Sequence, residues 1–270
     1  MKMRVKLELA PATDMVWEFR DHYKFRGLVY DAIDNSALEW IHNDYDTPKF
    51  TFSNVFSLQN PHRGNGTQSI LNEQEDCLCF FTTPHDSLAY KLEHELKEQN
   101  AIEIGENKFY VDGVYSFDYS VSVSESGSLT ASNGVVSRLN KEQRDKHGIE
   151  DDSEQYGIDD EDFKSSWLPD HGMDVFEDMI LDNLYWKLDK LHPDVEKPES
   201  FYDIFDYVQY KTTFQTKMPV KSDLELTFFP STFEFGYSVQ TEEQRIWINT
   251  LLNAGIGEKN PLGYGILNKN

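Results

Sequence analysis

The stretch Met3-Arg-Val-Lys-Leu-Glu-Leu-Ala10 alternates apolar and charged residues, which is the pattern of a β-strand with one buried face. After it, the apolar spacing indicates elements in the order helix, strand, strand, helix, strand. Together with the first strand this is the βαββαβ order of a ferredoxin-like unit, predicted over residues 1–125. The predicted segments are a helix over 20–34, a short second helix that begins at the capping box Ser36–Glu39, strands over 50–57 and 76–83, a helix over 86–99 and a hairpin with strands over 101–105 and 108–112.

Residues 126–270 are predicted to form a second unit of the same kind, because the order of elements recurs although the residues themselves do not repeat. The fold class is therefore α+β, with two tandem ferredoxin-like (RRM-like) units and antiparallel sheets. An acidic stretch over 141–165 is expected to be a surface insertion, and a solvated charge run is favoured there over a metal site. The predicted segments are strands over 114–123, 128–139, 205–217 and 223–239, a helix over 173–191 and a last helix over 241–253 that begins at the capping box Thr241–Gln244.

The formal net charge of −23 over 270 residues is the least usual property of the composition. A strongly acidic surface repels nucleic acid, because affinity for nucleic acid depends on cations that meet phosphates. Two interpretations remain: the acid is a solubility device for a very salty cytoplasm, or it contacts a basic partner or a metal. At roughly 1 M salt the Debye length falls to about 3 Å, which screens repulsion between surface carboxylates. Because the acid is spread along much of the chain, the halophilic interpretation is favoured.

The cysteines and the hydropathy pattern indicate a cytoplasmic protein. Cys77 and Cys79 stand two residues apart on a predicted strand, too close in sequence for a useful disulfide, and are expected to be buried and reduced. The first residues are basic and alternating, unlike a signal peptide, and no run approaches the roughly 18 apolar residues of a membrane span. No Cys/His cluster indicates a metal site, and no cofactor is expected.

The segment Ala254-Gly-Ile-Gly-Glu-Lys-Asn-Pro-Leu-Gly-Tyr-Gly-Ile-Leu267 contains two Gly-x-Gly pairs separated by five residues. It follows a predicted helix and ends in a strand, unlike a dinucleotide fingerprint, and Lys259 is followed by Asn260, which excludes a P-loop. Glycines let backbone amides approach a ligand, such amides suit phosphate oxygens, and Lys259 adds a cation. The alternative is a tight helix-to-strand turn that packs against a neighbouring element.

Two regions of the chain resemble one known family. The segment Gly255–Gly265 closely resembles the glycine-rich signature that ends the CRISPR repeat-cleaving endoribonucleases, the sixth Cas family of the RAMP superfamily, and it has the same C-terminal position after a helix. The segments Tyr23–Tyr30, Leu38–Tyr45 and Lys49–Ser53 look like the first helices and second strand of that family. Together these regions cover roughly a quarter of the chain. The middle, especially 126–200, matches only by element order.

The resemblance implies a catalytic histidine at His42, because the family has one at the end of this helical region, just before a Phe-Thr-Phe-Ser type of strand. RNA cleavage by the 2′-OH requires a base, an acid and a cation near the phosphate, but no metal. Histidine titrates near pH 6.5 and suits either proton transfer. Lys49 is expected to stabilise the developing charge. Tyr30 is chosen to orient the nucleophile or assist the leaving group, with Tyr45 as the alternative.

The resemblance also implies that RNA lies across the two units and the glycine-rich loop. Lys2, Arg4 and Lys6 share one face of the first strand by alternation, and a basic face in so acidic a chain indicates a phosphate track. The alternative to a phosphate track is that these side chains simply face solvent, as every second residue of a half-buried strand does. The candidate RNA-binding residues are Gly255, Gly257, Lys259, Gly263, Gly265, Lys2, Arg4 and Lys6.

The expected function is metal-independent cleavage of CRISPR precursor RNA within its repeats, which gives guide RNA (crRNA) with a 2′,3′-cyclic phosphate. The expected partners are repeat RNA, crRNA and the proteins of a CRISPR effector complex. The first alternative is a non-catalytic RAMP subunit that binds crRNA, marked by binding without cleavage. The second is an unrelated acidic enzyme that uses carboxylates and a divalent metal, marked by loss of activity in EDTA.

The halophilic interpretation predicts that the protein loses stability as KCl falls from about 2 M to about 0.2 M, because lost screening restores repulsion among carboxylates. We expect the thermal midpoint, followed by circular dichroism, to drop by about 5 °C or more, roughly 1–2 kcal/mol for a chain of this size. Partial protonation of the carboxylates near pH 4.5 should weaken this salt dependence. A midpoint that is constant across the salt series would remove the interpretation.

Overall fold

The protein is described here by a computed structural model, which covers residues 3–18, 21–34, 36–44, 46–59, 68–150, 164–221 and 224–270. Lys2, Tyr45 and the acidic residues 151–163 lie outside the described residues. The strands are β1 (Met3–Pro11), β2 (Met15–Glu18), β3 (Thr51–Phe52), β4 (Phe56–Ser57), β5 (Gln68–Leu71), β6 (Cys77–Thr83), β7 (Ala101–Ile104), β8 (Asn107–Asp118), β9 (Ser126–Val135), β10 (Arg138–Leu139), β11 (Ser165–Ser166), β12 (Tyr207–Thr213), β13 (Thr216–Lys221), β14 (Leu224–Phe228), β15 (Ser231–Ser238) and β16 (Asn268–Lys269). The helices are α1 (His22–Ile33), α2 (Trp40–Asn43), α3 (Asp86–Lys97), α4 (Lys141–His147), α5 (Met173–Leu191) and α6 (Glu242–Ala254).

The first sheet has the strand order β3-β6-β1-β8-β7, with β4 also paired to β6. Strand β1 lies in the middle and pairs antiparallel with β6 on one side and β8 on the other. Its alternation is realised, because Val5, Leu7 and Leu9 are buried in the core beneath α1 and α3. The sequence order β1, α1, β3/β4, β6, α3, β8 is therefore the predicted βαββαβ unit.

The second sheet has the order β12-β15-β9-β16, which repeats the first sheet with β9 in the place of β1. The corresponding sequence order is β9, α5, β12, β15, α6, β16. Two hairpin-like pairs are inserted into it: β10 with β11, and β13 with β14. The predicted fold class, α+β with two tandem ferredoxin-like units and antiparallel sheets, is confirmed.

Each sheet has its own hydrophobic core. The N-terminal cluster extends from Val5 to Val114, and the C-terminal cluster extends from Val121 to Leu267. The predicted division at residues 125 and 126 stays a prediction, and Val121 already packs in the C-terminal core. Both cysteines are buried and free, as expected. No helix in the described ranges has the length and apolar character needed to cross a membrane.

Several details differ from the sequence predictions. The two strands predicted over 205–217 and 223–239 are the four strands β12 to β15, and the strand predicted over 128–139 is divided into β9 and β10. The strand predicted over 50–57 is interrupted between Phe52 and Phe56, where Asn54 accepts a hydrogen bond from the Trp17 indole. The separate strand predicted from residue 114 belongs to the long strand β8. The start of the acidic stretch is helix α4, because Asn140 caps it in a reciprocal capping box with Gln143.

Arg4 does not lie on an exposed basic face, so that prediction is wrong. Its residue exposure is 2%. The guanidinium donates to the carbonyl of Leu267 at 2.5 Å and to Asn268 Oδ1 at 2.8 Å, and it stacks 3.6 Å from the ring centroid of Tyr119. Burial lowers the pKa of Arg4 to about 10, which leaves it charged at neutral pH. Arg4 thus ties the C-terminal strand to the first sheet, a role that alternation along β1 does not reveal.

Replacing Arg4 with leucine should lower the free energy of unfolding by about 3 kcal/mol, because one buried and one half-buried acceptor lose a charged donor. The measurement is denaturant unfolding in high KCl. Lys6→Ala, on the same strand but half-buried, is the matched control and should change stability by no more than about 0.5 kcal/mol. Equal effects of the two substitutions would show that the contacts of Arg4 do not stabilise the fold.

Candidate active site

The three residues predicted to be catalytic lie together at the end of α1 and around α2. The rings of Tyr30 and His42 are 4.3 Å apart between centroids, with the ring planes tilted by 40°. Lys49 Nζ donates to the backbone carbonyl of His42 at 3.1 Å and lies 5.7 Å from the centre of the Tyr30 ring. His42 is exposed on the four-residue helix Trp40–Asn43, whereas Tyr30 is half-buried. An exposed imidazole therefore stands beside a phenol and an ammonium group.

Lys49 has an unusual environment for a lysine. Its residue exposure is 8%, and burial lowers the pKa of its side chain. The carboxylate of Asp44 acts in the opposite direction, and the guanidinium of Arg26 lowers the Lys49 pKa further. Arg26 also lies over the Tyr30 ring, with Cζ 5.7 Å from its centre. The site thus brings two cations, Lys49 and Arg26, together in a strongly acidic protein. The sequence analysis did not include Arg26 among the site residues.

A second histidine supports the turn that presents His42. The ring of His85 packs edge-on against Trp40, with centroids 5.4 Å apart, and its Nε2 lies 2.8 Å from the carbonyl oxygen of Pro48. Burial lowers the pKa of His85, against the effect of the Pro48 carbonyl. The neutral imidazole suits a structural hydrogen bond. Sequence reasoning missed His85, and its position directly before helix α3 gave no signal of this contact.

The glycine-rich loop is built around a buried lysine. Lys187 Nζ, on α5, donates to the carbonyls of Gly255 and Gly257 at 2.6 and 3.1 Å and to Asn260 Oδ1 at 3.0 Å. The three acceptors match the three hydrogens of an ammonium group. Asn260 in turn donates from Nδ2 to the carbonyls of Ile256 and Tyr264. The loop is therefore held closed by its own side-chain network.

Glycine is required where the loop crosses itself. Gly265 has φ +72°, and a Cβ there would lie 1.9 Å from the carbonyl oxygen of Ile256. Gly257 has φ +71°, and its Cβ would lie 2.7 Å from the Val136 carbonyl oxygen. Three backbone amides of the loop donate hydrogen bonds to backbone carbonyls of the protein, namely those of Ile256, Glu258 and Gly265. This is the tight packed turn that the sequence left open as the alternative.

The loop lies against the elements that carry His42. Thr51 Oγ1, on β3, donates to the carbonyl of Tyr264 at 2.8 Å. Asn133 Nδ2, on β9, donates to the carbonyls of Phe52 and Gly263 at 3.0 and 3.1 Å. The turn Asn260–Leu262 contacts both α1 and β3. The candidate catalytic residues and the glycine-rich loop thus form one continuous region across the two units.

Lys259 is half-buried, and its backbone has the left-handed φ of +59° that non-glycine residues seldom adopt. Burial lowers its pKa, and the nearby cations Arg138 and Lys164 act in the same direction. Arg138 donates to Glu258 Oε2 at 2.6 Å. Within the ranges that the structure describes, no group of three or more His, Cys, Asp or Glu side chains is arranged to hold a metal ion.

Comparison with known proteins agrees with this arrangement. No protein-family model matches the chain. The chain is 27% identical to the CRISPR-associated endoribonuclease Cas6 of Haloferax mediterranei, over 98% of its own length and 93% of that protein's length. The chain is therefore similar to this Cas6 protein over almost its whole length. The resemblance seen in the glycine-rich loop and around His42 is thereby confirmed for the chain as a whole.

Solved structures share the same fold from end to end. A CRISPR-associated protein Cas6 aligns over 100% of both chains with a TM-score of 0.68 at 16% identity. A RAMP protein that binds different RNA substrates aligns over 99% of both chains with a TM-score of 0.70 at 15% identity. A Cas6 product complex aligns over 100% of both chains with a TM-score of 0.61 at 14% identity. The two-unit architecture is therefore that of Cas6 and RAMP proteins.

The buried position of Lys187 predicts how the free energy of unfolding changes with pH. Burial lowers its pKa from 10.5 to about 7, so between these values the unfolded chain binds more protons than the folded one. Its contribution to stability therefore rises with pH across this range. Between about pH 7 and 9.5, the free energy of unfolding of the wild type should rise by at least about 1.4 kcal/mol more than that of Lys187→Met.

The measurement is denaturant unfolding at fixed high KCl across this pH range. Lys187→Met should also be less stable at each pH, because three acceptors lose their donor. Lys190→Met is the control: this lysine is near the surface, bonds to Asp46 and should keep the wild-type pH slope. Parallel slopes for wild type and Lys187→Met would mean that Lys187 does not titrate as described.

Proposed function

We propose that this chain is a metal-independent endoribonuclease that cleaves CRISPR repeat RNA to produce crRNA. One observation carries the proposal: the exposed His42 imidazole packs 4.3 Å from the Tyr30 ring while Lys49 binds the carbonyl of the same histidine. Acid–base catalysis on RNA needs such a titratable group beside a cation. The Haloferax mediterranei relative, a Cas6 endoribonuclease, supports the substrate class.

In the proposed reaction the 2′-oxygen of one nucleotide attacks the adjacent phosphorus while the bond from phosphorus to the 5′-oxygen of the next nucleotide breaks. A base takes the proton of the 2′-OH, and an acid gives a proton to the leaving 5′-oxygen. The products are a 2′,3′-cyclic phosphate and a 5′-OH. Atoms and charge balance without a metal or other cofactor.

His42 is assigned one of these proton transfers, because imidazole exchanges protons near neutral pH. The Tyr30 hydroxyl is assigned to orient the nucleophile or to assist the leaving group. Lys49 is assigned two roles. It fixes the end of α2 through its hydrogen bond to the His42 carbonyl, and it places positive charge next to the phosphate that is attacked. Because burial lowers the pKa of Lys49, the side chain supplies this positive charge only at a pH at which it keeps its proton.

The proposed RNA path runs from the His42 region along the glycine-rich loop. Lys259 remains half-exposed there, and Lys6 on the first strand is also half-exposed. Two structural neighbours support an RNA path on this fold, namely the RAMP protein that binds RNA substrates and the Cas6 product complex. Retention of crRNA and transfer to effector proteins are proposed as the later steps.

The proposal predicts cleavage at one position of the host's repeat RNA in high KCl with EDTA. His42→Ala should reduce the single-turnover rate by about 10²–10⁴-fold, since general acid–base catalysis contributes that much. Lys49→Met should reduce it by about 10²-fold, and Tyr30→Phe should also slow it. A 3′ end that phosphatase makes ligatable only after acid treatment would identify the cyclic phosphate.

His94→Ala is the matched control, because His94 is exposed on α3 and bonds only weakly to Glu95. It should cleave at the wild-type rate. RNA binding without cleavage by the wild type would identify a non-catalytic RAMP subunit instead. Cleavage that EDTA abolishes would identify a metal-dependent enzyme, and neither binding nor cleavage by a folded sample would reject the RNA function.

A further inference from the structure

A pocket of about 290 Å³ lies next to the glycine-rich loop, on the side of the C-terminal unit. Helix α5 forms one wall, and the segment between β9 and α4 forms another. Its volume is just below the range of about 300–1,000 Å³ that is typical of ligand pockets, and it therefore suits a group the size of one nucleobase. The lining residues used below are Ser137, Arg138, Lys164, Asn183, Trp186 and Gly257.

Two atoms in this pocket are buried hydrogen-bonding groups that lack a partner within the described part of the chain: Ser137 Oγ and Asn183 Oδ1. Ser137 is 6% exposed. Burying such atoms without a partner is unfavourable, so native structures nearly always satisfy them. Both residues, Ser137 and Asn183, line the pocket. The amide oxygen of Asn183 accepts hydrogen bonds, as a base with N–H groups requires.

The charges around the pocket suit a phosphate. Arg138 and Lys164 line it, and both influence the adjacent Lys259 electrostatically. The carboxylates that also line it have partners: Glu258 accepts from Arg138 at 2.6 Å, and Asp182 accepts from Gln143 Nε2 at 2.9 Å. Two cations and two carboxylates thus line the pocket, and the further cation Lys259 lies beside it.

Trp186 supplies an aromatic surface and a link to the candidate active site. Its indole is half-buried and lines the pocket. The indole Nε1 donates to Asp46 Oδ1 at 3.2 Å, and Asp46 follows His42 by four residues. One wall of the pocket is thus attached to the loop that follows the candidate catalytic histidine.

We propose that this pocket binds one unstacked base of the repeat RNA, close to the cleaved bond. Trp186 stacks on the base, Asn183 and Ser137 bond its edge, and the cations Arg138, Lys164 and Lys259 hold the flanking phosphate. Aromatic stacking with a nearby cationic track is the usual physical basis for binding single-stranded bases. The inference rests on the proposed function and extends it to a specificity site.

The test is a binding cycle with full-length protein that carries His42→Ala, so that the RNA stays intact. Repeat RNA is prepared with one abasic nucleotide at each position around the cleavage site in turn. At one position, base loss should weaken binding about tenfold, as expected for one stacked base. Trp186→Ala should weaken binding of intact RNA by a similar factor. When this variant is combined with the abasic nucleotide at that position, affinity should fall no further than with either change alone.

Two further variants sharpen the result. Asn183→Ala should reduce discrimination among the four bases at that same position while stacking remains. Tyr110→Ala removes an exposed aromatic side chain outside the pocket and should leave affinity for intact RNA unchanged. If the effects of Trp186→Ala and base loss multiply at every position, the pocket does not hold a base.

The outcome also separates this inference from the function on which it rests. Specific cleavage by the wild type, with multiplying effects in the cycle, overturns the base pocket alone. Absence of both repeat binding and cleavage in the folded wild type overturns the pocket and the nuclease together. Coupling at a single position, accompanied by lost discrimination in Asn183→Ala, establishes the pocket as a specificity site.

Discussion

The hydrogen bonds of the buried Lys187 side chain are the constraint on which the rest of the site depends. They hold two carbonyls of the glycine-rich loop and the side chain of Asn260, which in turn bridges the carbonyls of Ile256 and Tyr264. The loop therefore crosses itself so closely that Gly265 cannot carry a Cβ. Since the Tyr264 carbonyl accepts from Thr51, this closed shape also sets where the N-terminal unit docks.

The acidity of the chain and its proposed RNA substrate impose opposite demands, and the distribution of its 25 lysines and arginines shows how they are met. Several cations serve the interior: Arg4 anchors the C-terminal strand, and Lys187 closes the loop. Others gather on one continuous region, with Arg26 and Lys49 near His42 and with Lys259 beside Arg138. Screening by salt acts on the exposed carboxylates more than on such partly buried groups, so local positive potential survives.

Sequence reasoning succeeded where neighbours along the chain are also neighbours in space. Tyr30, His42 and Lys49 fall within two helices and the start of a strand, so a local match brought them together correctly. It failed for Arg4, because alternation along β1 shows which face a residue takes but not that another unit covers that face. Lys187 did carry a signal: it follows Leu184 by three residues on the apolar stripe of α5, where a lysine must be buried. Its acceptors lie about 70 residues away, and no local period indicates them.

The contacts between the two units explain why the proposed reaction would need both. Asn133 reaches from the second sheet to the carbonyls of Phe52 and Gly263, and so joins the strand after the His42 region to the loop proposed to bind RNA. Trp186 makes a second connection, through Asp46. Under the proposed mechanism, a shift of the loop relative to β3 would therefore move the phosphate relative to the imidazole, and misplacement by about 1 Å is enough to reduce a rate about 10²-fold. The buried amides and carbonyls at this junction hold two independently packed cores in the one relative position that the proposed mechanism requires.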